Sequence, residues 1–174
     1  MRLTVNGIEQ EISSPPLTAL LHVLREELEI TSPKAGCQQG GCGTCTVLVD
    51  GEPRRSCLTA VATVDGAAIT TLEGLGEAES MSPVQAAFHN LYAAQCGFCT
   101  PGMILAATAL IERTGGPVER GEVLDALGGH YCRCTGYVKI IDAVMAASRG
   151  EVEPVADLPA GEGEPDVLVK GSPA

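Results

Sequence analysis

Eight cysteines are the residues of this chain with the clearest capacity for chemistry. They form two groups of four: Cys37, Cys42, Cys45 and Cys57, then Cys96, Cys99, Cys132 and Cys134. Thiolates bind metals, and in oxidising compartments thiols form disulfides. The opening residues, MRLTVNGIEQ, have neither the basic start nor the apolar stretch of an export signal. We therefore expect a cytoplasmic chain whose thiols hold metal, with a disulfide scaffold as the alternative.

The first group lies in the stretch GCQQGGCGTC and has the spacing C-x4-C-x2-C. Cys57 adds a fourth thiol twelve positions after Cys45. This spacing is typical of plant-type 2Fe-2S centres. Glycines in the loop let backbone N–H groups approach the sulfurs of an anionic cluster. Zinc is the alternative, but it usually takes two C-x2-C pairs, and only Cys42 and Cys45 have that spacing.

The second group combines a C-x2-C pair, Cys96 and Cys99, with a C-x-C pair, Cys132 and Cys134. Each pair precedes a predicted helix. Helix N-termini present unpaired N–H groups and partial positive charge, which suits an anionic thiolate cluster. The C-x-C pair is awkward for one tetrahedral ion, because alternate side chains of an extended segment point apart. The pattern predicts a second 2Fe-2S cluster, with zinc again as the alternative.

Short strands and one helix are predicted around the first group. Asn6-Gly7 predicts a β-hairpin, and Asp50-Gly51 predicts a second one in TVLVDGEPRRSC, where we interpret Arg54 and Arg55 as facing solvent. The stretch AAITTL predicts a further strand. Leucines at helical spacing predict an amphipathic helix across the sheet: Leu17, Leu20, Leu21, Leu24 and Leu28.

Helical periodicity replaces the strand pattern from about residue 76. Ser82-Pro83 predicts a helix to about Ala94, and Thr100-Pro101 predicts another to about Arg113. VERGEVLDAL and YVKIIDAVMAAS predict a third and a fourth. The fold class is therefore α+β, with a sheet domain over 1–75, a small helical bundle over 76–148 and an acidic tail rich in Pro and Gly over 149–174.

Charge and hydropathy limit the classes of partner. The formal net charge of −11 argues against binding nucleic acid through its phosphates. No run of residues approaches the roughly 20 apolar positions that a membrane span needs. Proteins and cofactors are the expected partners.

Three stretches carry a resemblance to a known family: GCQQGGCGTCTVLVDG, QCGFCTPGMI and YCRCTGYVKIIDAV. They resemble the signatures of the iron-sulfur subunit of the molybdenum hydroxylases, the family of xanthine dehydrogenase, aldehyde oxidoreductase, aryl-CoA reductase and carbon monoxide dehydrogenase. The resemblance covers residues 1 to about 148. It implies a β-grasp ferredoxin-like domain followed by a four-helix bundle, with one 2Fe-2S cluster bound by the cysteines of each.

The resemblance also implies partners and a role. The chain is expected to be the iron-sulfur subunit of a molybdopterin-dependent oxidoreductase, relaying electrons from a large molybdopterin-binding subunit to FAD on a medium subunit or to another acceptor. A heterotrimer or a dimer of heterotrimers is the implied assembly. Gln95 matches a glutamine that contacts the pterin cofactor, and Cys134 matches the ligand nearest to it. No substrate site is expected in this chain.

Two features leave alternatives open. His130 and Tyr131 stand where many relatives carry Asn and Leu, and we interpret His130 as a packed or hydrogen-bonded residue rather than a ligand. A free-standing electron carrier and a zinc-bound structural adaptor are the competing functions. A carrier would need only one cluster domain, which favours membership of a larger oxidoreductase.

Overall fold

Two hairpins and one further strand form a five-stranded mixed sheet in the computed structural model, which describes residues 1–78 and 80–152. The sheet order is β2-β1-β5-β3-β4, with β1 and β5 parallel and the other neighbours antiparallel. Both predicted hairpins are confirmed, and their two turn residues all have positive φ, as a type I′ turn requires. The strands are β1 (Arg2–Val5), β2 (Ile8–Glu11), β3 (Thr46–Val49), β4 (Glu52–Arg55) and β5 (Ala68–Thr70).

The helix of the sheet domain is shorter than the leucine spacing predicts. α1 (Leu20–His22) continues directly into a π-helical turn, Val23–Glu27. Leu17 lies before the helix and is 87% exposed, so its assignment to the helix was wrong. The helix starts late because Leu20 N–H donates to Thr59 C=O at 2.7 Å, which holds the preceding residue in an extended conformation. The core beneath it includes Leu3, Val5, Leu20, Leu24, Val47 and Ile69.

Four helices make up the second half of the described chain. Ser82 opens α2 as predicted, and the structure adds a capping box there; a left-handed Tyr92 turns the chain away, and the helix ends at Asn90 rather than near Ala94. Gly115, also left-handed, ends the next helix. Their core includes Phe88, Met103, Leu110, Val123, Ile140 and Val144. The helices are α2 (Pro83–Asn90), α3 (Thr100–Thr114), α4 (Arg120–Leu127) and α5 (Val138–Arg149).

Strand β3 joins the sheet to the helices because it is buried on both faces. Val47 and Val49 point into the core of the sheet domain. Side chains alternate along a strand, so Leu48 faces the other way and packs against Leu105 and Ala109 of α3. The sheet layer and the helical layer, each of which could carry one cysteine group, therefore lie in direct contact.

The C-terminal tail is only partly within the described residues. α5 extends to Arg149, which forms an ion pair with Glu151. The predicted acidic tail falls mostly on residues 153–174, which lie outside the described part. Among the helices that are described, none has the length and apolar character to cross a bilayer.

Candidate metal centres

The first cysteine group forms a site in the loop between α1 and β3. The N–H groups of Gln39 and Cys42 donate to Cys37 Sγ at 3.4 Å, and Cys37 N–H donates to Cys42 Sγ at 3.3 Å. Hydrogen bonds from Gln39 N–H, then from the Cys42 thiol and Cys42 N–H, lower the pKa of Cys37 to about 6. The loop thus favours a thiolate at Cys37 through its backbone N–H groups together with the neighbouring Cys42 thiol.

Cys45 and Cys57 complete this site from the sheet. Cys57 lies in a 3-10 turn, Ser56–Leu58, directly after β4. Ser56 ties the two segments together because its hydroxyl donates to Cys45 C=O at 2.6 Å. Burial, and then the neighbouring Cys45 thiol, raise the pKa of Cys57 to about 11. A thiol in this environment ionises when a positive centre offsets the burial.

Gly36 makes room for the sulfurs of this site. A Cβ at Gly36 would lie 2.9 Å from Cys42 Sγ and 2.6 Å from Thr44 Oγ1, so any larger residue would displace the cysteine. Backbone donors aimed at sulfur and a loop without intervening side chains are what an anionic 2Fe-2S cluster requires. The residues of the first site therefore fit such a cluster.

The second cysteine group comes from two segments that are distant in sequence. Cys99 is the N-cap of α3 and is buried. Cys134 Sγ lies 3.6 Å from Cys96 Sγ, whereas the Cys132 thiol lies beside Cys99. The C-x-C pair thus sends its two sulfurs to different partners, as its spacing predicts. Burial, and then Cys132, raise the pKa of Cys99 to about 12.

Cys132 accepts two hydrogen bonds from Thr135 in the second site. Thr135 donates to Cys132 Sγ from its hydroxyl at 3.1 Å and from its backbone N–H at 3.4 Å. Burial opposes ionisation of Cys132, but the donors outweigh it and the pKa of this thiol is lowered. Tyr137 Oη accepts Cys132 N–H at 2.9 Å, which fixes the backbone. This donor set also fits an anionic thiolate cluster.

A buried polar contact between the two layers was missed from the sequence. Arg55 donates to Thr46 Oγ1 at 2.6 Å and to Gly129 C=O at 3.0 Å, so our interpretation of Arg55 as solvent-facing was wrong, whereas Arg54 is exposed as predicted. His130 is 4% exposed, and its Nε2 lies 3.0 Å from the same threonine hydroxyl. Burial, and then Arg55, lower the pKa of His130 to about 4.

The signal for this contact lies in the run TVLV. In these four consecutive residues, exposed polar side chains do not alternate with buried ones. This pattern indicates a strand that is covered on both faces. Arg55 stands opposite Thr46 in the antiparallel register, on the face that meets the helices. A long cationic side chain at that position therefore has a buried partner across the strand pair.

The backbone also links the two sites directly. Tyr131 N–H, one residue before Cys132, donates to Cys42 C=O at 3.0 Å. In the second site, Gln95, Cys96 and Cys134 are all exposed. One site therefore touches the other, and the second also opens to the surface. Whether Gln95 contacts a pterin stays a prediction.

No three Cys, His, Asp or Glu side chains within residues 1–78 and 80–152 enclose a position for a single metal ion. A 2Fe-2S cluster distributes four thiolates over two iron atoms, so its ligands need not converge on one point. Metal and sulfide analysis distinguishes such a cluster from zinc.

Comparison with protein families matches both halves of the chain. Residues 3–70 match the family described as 2Fe-2S iron-sulfur cluster binding domain. Residues 71–145 match the family described as 2Fe-2S binding domain. Each family match contains one of the two cysteine groups.

Individual relatives include both separate small subunits and parts of longer chains. The chain is 44% identical to the nicotine 6-hydroxylase small subunit of Paenarthrobacter nicotinovorans, over 82% of this chain and 86% of that protein. It is 46% identical to aldehyde oxidoreductase of Megalodesulfovibrio gigas over 84% of this chain, but spans only 16% of that protein. A solved structure of quinoline 2-oxidoreductase from Pseudomonas putida 86 superposes with a TM-score of 0.79 at 43% identity, covering 87% of this chain and 98% of the matched one.

Proposed function

Because the chain belongs to the iron-sulfur subunits of the molybdenum hydroxylase family, we propose that it relays electrons from a molybdopterin-binding partner to FAD or another acceptor. Each bound 2Fe-2S cluster would supply a centre for electron transfer. The observation that carries this proposal is the Tyr131 N–H bond to Cys42 C=O, which brings two four-cysteine sites together. Substrate chemistry is assigned to the partner.

The proposal assigns a role to every cysteine. Each group of four binds one 2Fe-2S cluster, the first in a β-grasp domain over 1–75 and the second in a four-helix bundle over 76–148. The converging donors on Cys37 and Cys132 support this assignment, because N–H and O–H groups aimed at sulfur stabilise thiolate ligands. The cytoplasmic location stays a prediction.

The exposed side of the second site is the proposed contact with the molybdopterin-binding subunit. Gln95, Cys96 and Cys134 are exposed there, and a redox centre needs protein walls to exclude water and bring a donor close. A stable interface should bury more than ~1,000 Å² in total. We propose a heterotrimer with a FAD-binding subunit, or a dimer of such heterotrimers. Purification from the native source as a stable monomer with full carrier activity would contradict it.

Composition gives the first test. Two 2Fe-2S clusters require about four iron atoms and about four acid-labile sulfides per chain, with visible absorption that dithionite bleaches. Analysis of anaerobically prepared protein measures both. Zinc without labile sulfide would make the chain a structural adaptor instead.

A second test orders the two sites, using variants that still assemble with both partners. Cys42→Ser should leave substrate able to reduce the second site, which we call the helical-domain site (Cys96, Cys99, Cys132 and Cys134), but should stop electrons from reaching FAD. Cys99→Ser should prevent reduction both of the first site, which we call the plant-type site (Cys37, Cys42, Cys45 and Cys57), and of FAD. Rapid-freeze EPR follows each centre. Normal FAD reduction in Cys99→Ser complexes that lack the helical-domain signal would overturn this order.

A further inference from the structure

The hydroxyl of Thr135 has its single proton available for the sulfur of Cys132. Its oxygen lies 3.1 Å from Cys132 Sγ. A hydroxyl has one proton and two lone pairs, and here Tyr137 N–H donates to one of those lone pairs at 3.2 Å. Among the described residues, Thr135 Oγ1 has no other hydrogen-bond acceptor for its proton. The proton is therefore committed to the sulfur.

We propose that Thr135 is a positioning residue that donates this hydrogen bond to the Cys132 thiolate and thereby raises the reduction potential of the helical-domain cluster. The inference rests on the proposed function, since it requires a cluster bound by Cys132. Reduction adds an electron to an anionic centre, so a donor on a ligand sulfur stabilises the reduced state more than the oxidised state. Losing the donor makes reduction harder.

The local backbone holds the hydroxyl in this position. Gly136 and Tyr137 have φ values of 66° and 70°, which returns the Tyr137 amide to the Thr135 oxygen. A left-handed conformation is energetically unfavourable for a tyrosine. The same side chain offsets that cost, because Tyr137 Oη accepts Cys132 N–H at 2.9 Å and donates to His130 C=O at 3.2 Å. Cys132 is thus fixed at its backbone while Thr135 donates to its sulfur.

The plant-type site also has a threonine hydroxyl beside a cysteine sulfur, but this hydroxyl has a second acceptor for its proton. Thr44 Oγ1 lies 3.2 Å from Cys42 Sγ, but it also lies 3.1 Å from Lys34 C=O, which accepts its proton. One proton cannot serve both acceptors fully. Thr44 should therefore contribute less to its cluster than Thr135 contributes to the other.

The test is EPR-monitored redox titration of the full chain in its native complex. Thr135→Val replaces the hydroxyl by a methyl group of similar size, and we expect reduction of the helical-domain cluster to become about tenfold less favourable, a shift of about 59 mV to lower potential for one electron. Thr135→Ser keeps the hydroxyl and should retain the wild-type potential. Thr44→Val is the matched control and should leave the potential of the helical-domain cluster unchanged. It should shift the potential of the plant-type cluster by less than Thr135→Val shifts that of the helical-domain cluster.

Each other outcome contradicts the inference. An unchanged potential in Thr135→Val means that the hydroxyl does not act on the cluster, and equal shifts in Thr135→Val and Thr135→Ser assign the effect to packing. Loss of the cluster in both Thr135→Val and Thr135→Ala makes the residue structural, because a bond that tunes potential leaves the four thiolates in place. Failure of the proposed function is separate, since it appears as missing iron and sulfide in the wild-type chain.

Discussion

The two cysteine sites favour thiolate ligands by different means. In the plant-type site, Cys37 receives its hydrogen bonds from within its own loop, from two backbone N–H groups and the Cys42 thiol. In the helical-domain site, the donors to Cys132 include a side-chain hydroxyl, and the facing cysteines come from a segment more than 30 residues away. Each site also has a cysteine whose pKa is raised mainly by burial, the half-buried Cys57 in the first and the buried Cys99 in the second.

This difference separates what local sequence determines from what tertiary structure determines. A glycine-rich loop can present its N–H groups wherever it is placed, so the plant-type site depends on backbone conformation. The helical-domain site exists only when the helices hold two segments together. Changes to loop glycines should therefore damage the first site most, whereas changes to the contacts between segments should damage the second.

The largest effect is expected at Gly43, where the plant-type loop meets the second segment. Gly43 has φ +75°, and a Cβ there would lie 2.5 Å from the His130 ring and 2.6 Å from Gly129 C=O. Gly43→Ala combines a left-handed alanine with an overpacked contact, and should cost about 3 kcal/mol of unfolding free energy. Anaerobic urea unfolding of the iron-loaded chain, with iron content measured in parallel, tests this.

Gly41→Ala is the matched control in the same loop. Gly41 does not have a positive φ and has open space around its Cβ position. It should therefore change the unfolding free energy by less than about 0.5 kcal/mol. Equal losses in the two variants would show that the loop tolerates no side chain anywhere, and that the contact with His130 is not the cause.

The same distinction explains which parts of the molecule could be predicted. Both hairpins and the ends of α3 follow from turn and capping residues that act within a few positions, such as Asp50-Gly51 and Gly115. The start of α1 could not be read from leucine spacing, because Thr59 from another part of the chain fixes it. Arg55 was misassigned for the same reason, since its acceptors Thr46 and Gly129 meet only in the folded protein. Cysteine spacing predicted the two groups, but not the Tyr131 contact between them.

The next effect concerns the polar contact that joins the two layers. Arg55→Met removes a charged donor from Thr46 Oγ1 and from Gly129 C=O while keeping much of the apolar stem. Hydrogen bonds to charged groups contribute roughly 1.5–3 kcal/mol, so we expect a loss of about 2 kcal/mol. Arg54→Met, on the exposed neighbour, should be close to neutral. Similar unfolding midpoints for the two variants would make the buried contact energetically unimportant.

A smaller effect is expected at the side chain that fixes the helical-domain segment. Tyr137→Phe removes the hydroxyl between Cys132 N–H and His130 C=O, which should cost about 1 kcal/mol. The loss should appear as faster release of iron from the helical-domain site, with the plant-type EPR signal retained. Tyr131→Phe is the control because Tyr131 is 66% exposed and acts through its backbone N–H, which the variant keeps. Equal loss of both EPR signals in Tyr137→Phe would contradict a local role.

The smallest effect is expected on acidification of the sheet domain. There the Glu27 carboxylate joins two segments of the chain through hydrogen bonds, which we call the carboxylate clasp. Glu27 accepts hydrogen bonds from the backbone N–H and the hydroxyl of both Ser13 and Ser14, at 2.5–3.3 Å. These bonds, led by that of the Ser14 hydroxyl, lower the pKa of Glu27 to about 2 from an ordinary 4.5. Glu73, held by Ser32 and Thr71, also has a lowered pKa despite its burial.

A carboxyl group whose pKa is lower in the folded state stabilises the fold above its unfolded pKa, and that contribution disappears as pH falls through the folded value. The clasp is therefore intact above about pH 4.5 and weakens progressively toward pH 2. Glu27→Gln should lower the thermal midpoint at pH 6 but make it less sensitive to acid, so that the difference from wild type shrinks by pH 3.5. Glu29→Gln, at an exposed position two residues on, should follow the wild-type profile. A constant difference between Glu27→Gln and wild type across this interval would mean that ionisation of Glu27 does not stabilise the sheet domain.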